Sequence, residues 1–339
     1  MAYDFDLFVI GGGSGGIAAA CRAASYGTQV GLAEADRLGG TCVNRGCVPK
    51  KLMVYASRFP EQFEAAPGFG WACGQRQFHW PTLVAAIDQE VDRLNNIHRE
   101  MLDDAGVQVF CDHARFVDPH TLTVGDTTVT AAKILIAVGG RPVRPDNIPG
   151  IEHAITSDDI FHLPRQPQRI VIIGGGYIGS EFACILHGLG TEVTQLIRAE
   201  TILRGFDEDL RQEIHGAMEQ RGIQIIANTE QIAIAKTDSG IEVSVKTAND
   251  QITLPTDGVS LAATGRQPNL KNLGLENTGV EVKDGAIVVD PYHRTTVPHI
   301  LAVGDVIARL SLTPVAIQAG RLVADTEFGQ GSHLMDYDT

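Results

Sequence analysis

The sequence is short of positive charge. Its 27 lysines and arginines face 41 aspartates and glutamates, a formal net charge of −14. Nucleic acid is an unfavourable partner for such a chain, because binding its phosphates takes clustered cations. The sign of the net charge leaves the substrate open, since a basic pocket can sit on an acidic protein. No apolar run approaches the roughly 20 residues that a membrane span requires. The apolar start, Leu7-Phe8-Val9-Ile10, runs into glycines without a basic flank and reads as a buried strand, not a signal peptide. The expected location is the cytoplasm, with an organellar stroma or matrix left open for a processed form. Cysteine is sparse: Cys21, Cys73, Cys111 and Cys184 are scattered, and only Cys42 and Cys47 lie close. That distribution excludes the disulfide scaffold of a small secreted domain. There is no second ligand cluster to complete a zinc site, so no metal is expected. No low-complexity linker interrupts the chain.

What is present is enough apolar sequence for a sizeable core. Hydrophobic residues make up 44% of the 339 and charged residues 20%, which suits a globular protein of two or three domains. Gly11-Gly12-Gly13-Ser14-Gly15-Gly16 contains G-x-G-x-x-G directly after the apolar run. An alanine-rich helix follows from Ile17 to Ala24, then a strand from Gln29 to Ala33 that ends at Glu34. Strand, glycine turn, helix, strand and terminal acid together form a dinucleotide fingerprint. Gly11 permits the turn, Gly13 admits the pyrophosphate, Gly16 lets helix meet strand, and Glu34 can accept from ribose hydroxyls.

The pattern recurs at Gly174-Gly175-Gly176-Tyr177-Ile178-Gly179, between the strand Ile170 to Ile173 and the helix Ser180 to Gly188. A further strand runs from Glu192 to Ile197. Gly11 and Gly174 are 163 positions apart, a repeat on the scale of a domain. At the same offset Glu34 is matched by Ile197, with Arg198 next and Arg204 six further on. An acid there would favour NAD and repel a 2′-phosphate; an apolar residue with two nearby arginines fits NADP. A plain surface-charge role for the arginines stays open, and Gly179 points slightly toward NAD, since NADP-preferring relatives often carry alanine there. Asp238 to Leu254 alternates as a β-meander, and Leu83 to Asp104 has helical periodicity.

The segment Leu38-Gly39-Gly40-Thr41-Cys42-Val43-Asn44-Arg45-Gly46-Cys47-Val48-Pro49-Lys50-Lys51 follows the first fingerprint. Residues five apart on an ideal helix lie on poorly matched faces, so the segment must distort if Cys42 and Cys47 are to bond. A strained, accessible disulfide suits exchange more than bracing. Two buried or zinc-binding cysteines are the alternative.

This run resembles the redox-active segment of the class I flavoprotein pyridine nucleotide-disulfide oxidoreductases, and its Val-Pro-Lys-Lys ending resembles the glutathione reductases among them. The resemblance covers nearly the whole chain. It implies an α/β fold of two Rossmann-like dinucleotide-binding domains, an FAD domain over 1–140 and 266–339 with an NADPH domain over 141–265 inserted. It also implies NADPH-dependent reduction of glutathione disulfide through FAD and a Cys42–Cys47 disulfide. Cys47 would contact the flavin and Cys42 attack the substrate. Lys50 would sit near the reactive flavin nitrogen with Glu181 as its partner, and Tyr177 would cover the flavin until nicotinamide arrives. An ordinary ion pair is the alternative for Lys50 and Glu181.

By the same resemblance Gly11, Gly13, Ser14, Gly16, Glu34, Gly40, Thr41, Gly140, Asp305 and Thr313 would hold FAD. Gly174, Gly176, Gly179, Arg198, Arg204 and Arg266 would hold NADPH, and Ser14 and Arg321 would hold glutathione. Cys21 and His98 depart from the basic residue and the tyrosine that relatives place near the substrate. Family members continue into an interface domain that makes the homodimer and supplies a histidine in a His-Pro context. Here the chain stops at His333-Leu334-Met335-Asp336-Tyr337-Asp338-Thr339, and none of the eleven histidines precedes proline. That domain is therefore expected to be absent, and the dimer to belong to the full-length family. The other readings are a dihydrolipoamide dehydrogenase or mercuric reductase, or a flavin-binding redox module without disulfide turnover.

Overall fold

The computed structural model describes residues 3–238, 240–332 and 334–337, so His333, Asp338 and Thr339 named above lie outside it. The chain divides into two compact units. One holds Met1–Val48, Glu90–Arg141 and Gln267–Thr339; the other holds Pro49–Gln89 and Pro142–Arg266.

The first unit opens with β1 (Phe5–Ile10), α1 (Ser14–Ala24), β2 (Val30–Ala33) and α2 (Gly40–Arg45). Helix α3 (Cys47–Ser57) begins in this unit and α5 (Trp80–Asp104) ends in it; α4 (Phe59–Ala65) belongs to the second. Then come β3 (Gln108–Phe110), β4 (Ala114–Asp118), β5 (Thr121–Val124) and β6 (Thr127–Ile136). Strand β1 is parallel to β2 on one side and β6 on the other, with Phe8 opposite both Gly31 and Ile134. The strand order therefore reverses at β1, and a crevice opens beyond the carboxyl ends of β1 and β6. Strand β5 pairs antiparallel with the first half of β6, and β4 pairs antiparallel with β5.

After Asp6, β1 is apolar because the sheet is covered on both faces. Phe8 and Ile10 join a core with Phe116, Leu122 and Ile134. Leu7 and Val9, pointing the other way, pack with Ile17, Ala20 and Leu135.

The second unit holds β7 (Ile155–Thr156), β8 (Arg169–Ile173), α6 (Tyr177–Gly188), β9 (Glu192–Leu196), α7 (Glu208–Gln220) and β10 (Gln224–Ile226). A meander follows, β11 (Gln231–Thr237), β12 (Gly240–Lys246) and β13 (Gln251–Pro255), and then β14 (Ser260–Ala262). A meander is thus present, but it begins at Gln231 and not at the expected Asp238, so its first strand lies before the alternating stretch; Ser239 lies outside the described residues. β10, β9, β8, β14 and β7 form a parallel sheet in that order.

Residues 49–89 group with this second unit and not with residues 1–48. The reason is local. Trp80 Nε1 donates to Leu163 O at 2.8 Å. Gly188 lies so close to Ser57 that a Cβ on it would be 2.8 Å from Ser57 O.

The chain returns to the first unit, where β15 (Ile300–Ala302) extends the parallel sheet beside β6 and α8 (Thr313–Phe328) packs on α1. The two helices touch through glycine: a Cβ at Gly320 would be 2.3 Å from Gly15 O. Near the end of the described chain, Tyr337 Oη meets Nε2 of buried His293 at 2.7 Å.

Burial, and then the charge of Arg309, pulls the His293 pKa from 6.5 down to about 4. Its neutral form is therefore the folded form, and the unfolded chain binds the extra proton. Stability from this group is complete above pH 6.5 and is lost as pH falls toward 4. The shift corresponds to about 3 kcal/mol. His293 has φ of +65°, so His293→Asn suits the backbone. Urea unfolding across that pH window should show a shallower acid loss in the variant; equal slopes would contradict the assignment.

Candidate active site

The redox segment is a helix broken between its cysteines. α2 ends at Arg45, α3 starts at Cys47, and Gly46 between them leaves the helical path at φ −145° and ψ −117°. A Cβ at Gly46 would lie 2.8 Å from Thr41 O, so the break closes tightly only with glycine. The distortion expected from the five-residue spacing is therefore localised at one residue. The Cys42 thiol is hydrogen-bonded to Cys47 and to Thr313, the first residue of α8. Its pKa is pushed far up, first by the bond to Cys47 and then by burial, while the Thr313 bond pulls it down.

A buried amide supports this break. Asn44 Nδ2 faces the carbonyls of Arg37, Leu38 and Gly40 at 3.0, 3.1 and 3.0 Å. Asn95 of α5 donates to Asn44 Oδ1 at 2.8 Å and to Leu38 O at 2.7 Å. Asn44 was visible in sequence as a residue of the motif; Asn95, 51 residues away, carried no such signal.

At the first fingerprint, Glu34 Oε2 accepts from Gly12 N at 2.7 Å and Oε1 from Asp36 N at 2.9 Å. Its carboxylate is aimed by backbone, and it lines a cavity of about 240 Å³ with Asp36, Arg37 and Asn95. A Cβ on Gly13 would meet only Gly40 Cα, at 3.7 Å. That opening at the start of α1 fits a pyrophosphate on helix N–H groups. Gly16 closes on Gly11, leaving no space for a side chain. Gly140 faces Asp305, whose Oδ2 would be 3.1 Å from a Cβ there. Thr41 lies in α2 beside Cys42. These groups fit FAD.

Ser14 opens α1, and Arg321 is exposed on α8. At Cys21 burial raises the thiol pKa, so no charge replaces the basic residue of the relatives. The His98 ring bonds back to Leu94 O within its own helix, at 2.8 Å.

In the second unit, Lys50 Nζ meets Glu181 Oε1 at 2.6 Å, with side chains 24% and 38% exposed. Tyr177 is half exposed one helical turn before Glu181, on the same face of α6. The second fingerprint borders a cavity of about 950 Å³ whose lining includes Gly174, Gly176, Ile197, Arg198 and Arg204. A Cβ on Gly176 would meet nothing within 4 Å, so this glycine leaves room for a ligand. Ile197 is buried against Gly175 where Glu34 stands in the first unit. Both arginines are exposed, and no carboxylate among the described residues pairs with them. The donor set fits a 2′-phosphorylated dinucleotide. Arg266 pairs with Asp158 at 3.9 Å. Thr229 and Lys246 also line this cavity and were not singled out by sequence. Among the described residues no His, Cys, Asp and Glu cluster could hold a metal, and no helix is long and apolar enough to cross a membrane.

The family model for pyridine nucleotide-disulphide oxidoreductases matches residues 5–320. Glutathione reductase from Nostoc sp. is 51% identical, with all of this chain and 76% of that protein aligned. The Burkholderia cepacia glutathione reductase is 48% identical over 96% of this chain and 72% of its own length. The chloroplastic/mitochondrial enzyme of Pisum sativum is 45% identical over 99% of this chain and 62% of its own. The chain belongs to the pyridine nucleotide-disulphide oxidoreductase family.

Gly46→Ala tests the helix break. The added methyl meets backbone at Thr41 and should cost about 1–3 kcal/mol in urea unfolding. It should also slow the loss of two titratable thiols when the reduced protein is treated with diamide. Unchanged stability and oxidation rate would show that the break does not depend on glycine.

Proposed function

We propose that this family member reduces glutathione disulfide with NADPH, through FAD and a Cys42–Cys47 dithiol. The observation that carries the reading is the bonded thiol pair at a helix break, in a chain with two dinucleotide fingerprints. The shared name of the relatives supports the substrate. FAD, when bound, supplies the chemistry that passes an electron pair from NADPH to the disulfide. Gly11, Gly13, Ser14, Gly16, Gly40, Thr41, Gly140, Asp305 and Thr313 would hold it, with Glu34 available to ribose hydroxyls. Gly174, Gly176, Gly179, Arg198, Arg204 and Arg266 hold NADPH.

Cys42 is the outer thiol. It loses its proton, attacks glutathione disulfide, forms a mixed disulfide and releases one glutathione. The Thr313 hydrogen bond favours that thiolate. Cys47, as thiolate, then attacks Cys42 Sγ, releases the second glutathione and restores the Cys42–Cys47 disulfide. Two electrons have then reached glutathione, with one proton from Cys42 and one from solvent. Lys50, held by Glu181, would supply positive charge to the flavin, and Tyr177 would gate nicotinamide access. Ser14 and Arg321 orient the glutathione carboxylates. The proposed partner is thus a small disulfide, and the proposed compartment the cytoplasm.

The direct test mixes NADPH-reduced protein anaerobically with glutathione disulfide or lipoamide. Glutathione disulfide should reoxidise the dithiol and yield two glutathiones per protein. Reoxidation by lipoamide alone would overturn the substrate.

The thiol roles are separable. Cys42→Ser should keep the long-wavelength thiolate-to-flavin absorbance, and Cys47→Ser should abolish it. A band that survives in Cys47→Ser would reverse the assignment.

Replacing both Arg198 and Arg204 with leucine should erase most preference for NADPH over NADH. Each charge-assisted phosphate contact contributes about 1.5–3 kcal/mol, about tenfold or more per arginine. An unaltered NADPH/NADH ratio would remove the arginines from the phosphate site.

A further inference from the structure

Gln195 lies on β9 and is wholly buried. Its Nε2 donates to Gly174 O at 2.8 Å and to Ser180 Oγ at 3.3 Å. Its Oε1 is buried and has no hydrogen-bond partner among the described residues. A half-satisfied buried amide is a costly choice for a core position.

The first unit shows that the fold does not demand it. At the 163-residue offset, Gln195 corresponds to Leu32 and Ser180 to Ile17. Both are buried and apolar. One architecture is therefore built once with an aliphatic pair and once with an amide and a hydroxyl. The difference falls directly beneath the glycine turn of the second site.

Its consequence follows from the planar trans peptide. When the Gly174 carbonyl is drawn inward onto Gln195, the N–H of Gly175 is turned to the opposite side of that peptide. The carbonyl, an electron-rich group, is thereby held away from an incoming anion. Gly175 and Gly176 line the cavity. Gly179 has no space for a side chain, as Gly16 has none in the first unit, so that feature is independent of the amide. A Cβ at Gly179 would lie 2.5 Å from Gly174 O, 3.3 Å from Gln195 Nε2 and 3.4 Å from Ala263 Cβ.

We propose that Gln195 is a positioning residue for the coenzyme pyrophosphate, holding the Gly174–Gly175 peptide through its hydrogen bond to the Gly174 carbonyl. The proposal rests on the coenzyme reading of the second site.

The experiment titrates NADP+ into the FAD-loaded protein by calorimetry and follows urea unfolding in parallel. Gln195→Leu should fold, as Leu32 does in the same place, and should weaken NADP+ binding about fivefold, the worth of one net hydrogen bond. Gln195→Met, which keeps the shape without the donor, should behave alike. Lowered stability with unchanged NADP+ affinity in both Gln195 variants would overturn the proposal. An unaltered protein that binds no NADP+ would overturn the coenzyme reading, and this proposal with it.

Discussion

The hydrogen bond between Cys42 and Cys47 is possible because a helix is interrupted for one residue. Helical hydrogen bonding on either side would carry the two thiols to different faces. Gly46 breaks the path, and its missing side chain lets the Thr41 carbonyl close on the gap. The rest of the first unit then serves to hold that geometry. Asn44 gathers three carbonyls of the preceding turn, and Asn95 ties the cluster to α5. Thr313 reaches the same thiol from the start of α8. Helix α8 is in turn seated on α1 through Gly15 and Gly320, so the first fingerprint and the redox pair share one rigid support.

The two fingerprints show how one supersecondary unit is tuned by few side chains. In both, a turn glycine and a third glycine let the helix close on the strand. The strand tip then differs: Glu34 is an oriented carboxylate, while Ile197 is buried and its neighbours Arg198 and Arg204 line an open cavity. A carboxylate suits ribose hydroxyls, and paired guanidinium groups suit a phosphate. One layer deeper, the aliphatic pair Ile17 and Leu32 becomes Ser180 and Gln195. The surface differences bear on which dinucleotide is bound, and the buried pair bears on how the backbone that meets it is held.

Much of this was legible in the sequence because strand, glycine turn and helix are local patterns. Both fingerprints appear where expected, with strand and helix ends shifted by at most three residues. The spacing of Cys42 and Cys47 already required a distortion. The ion pair of Lys50 with Glu181 joins residues 131 apart, and only the resemblance suggested it. Asn95, Thr229 and Lys246 gave no signal, since nothing local distinguishes them from other polar residues.

The sequence by itself determined the element types, the doubled dinucleotide motif, the redox pair and the divergence of acid from arginine at the second strand tip. These follow from short-range backbone chemistry: which residues permit a turn, extend a strand or carry charge beside it. Tertiary structure decided what surrounds each motif. It placed Thr313 on Cys42, gathered carbonyls onto Asn44, and set a buried amide under Gly174. It also assigned residues 49–89 to the second unit. Such contacts join positions far apart in the chain. They arise when packing removes water and leaves polar groups to find partners, which no local pattern records.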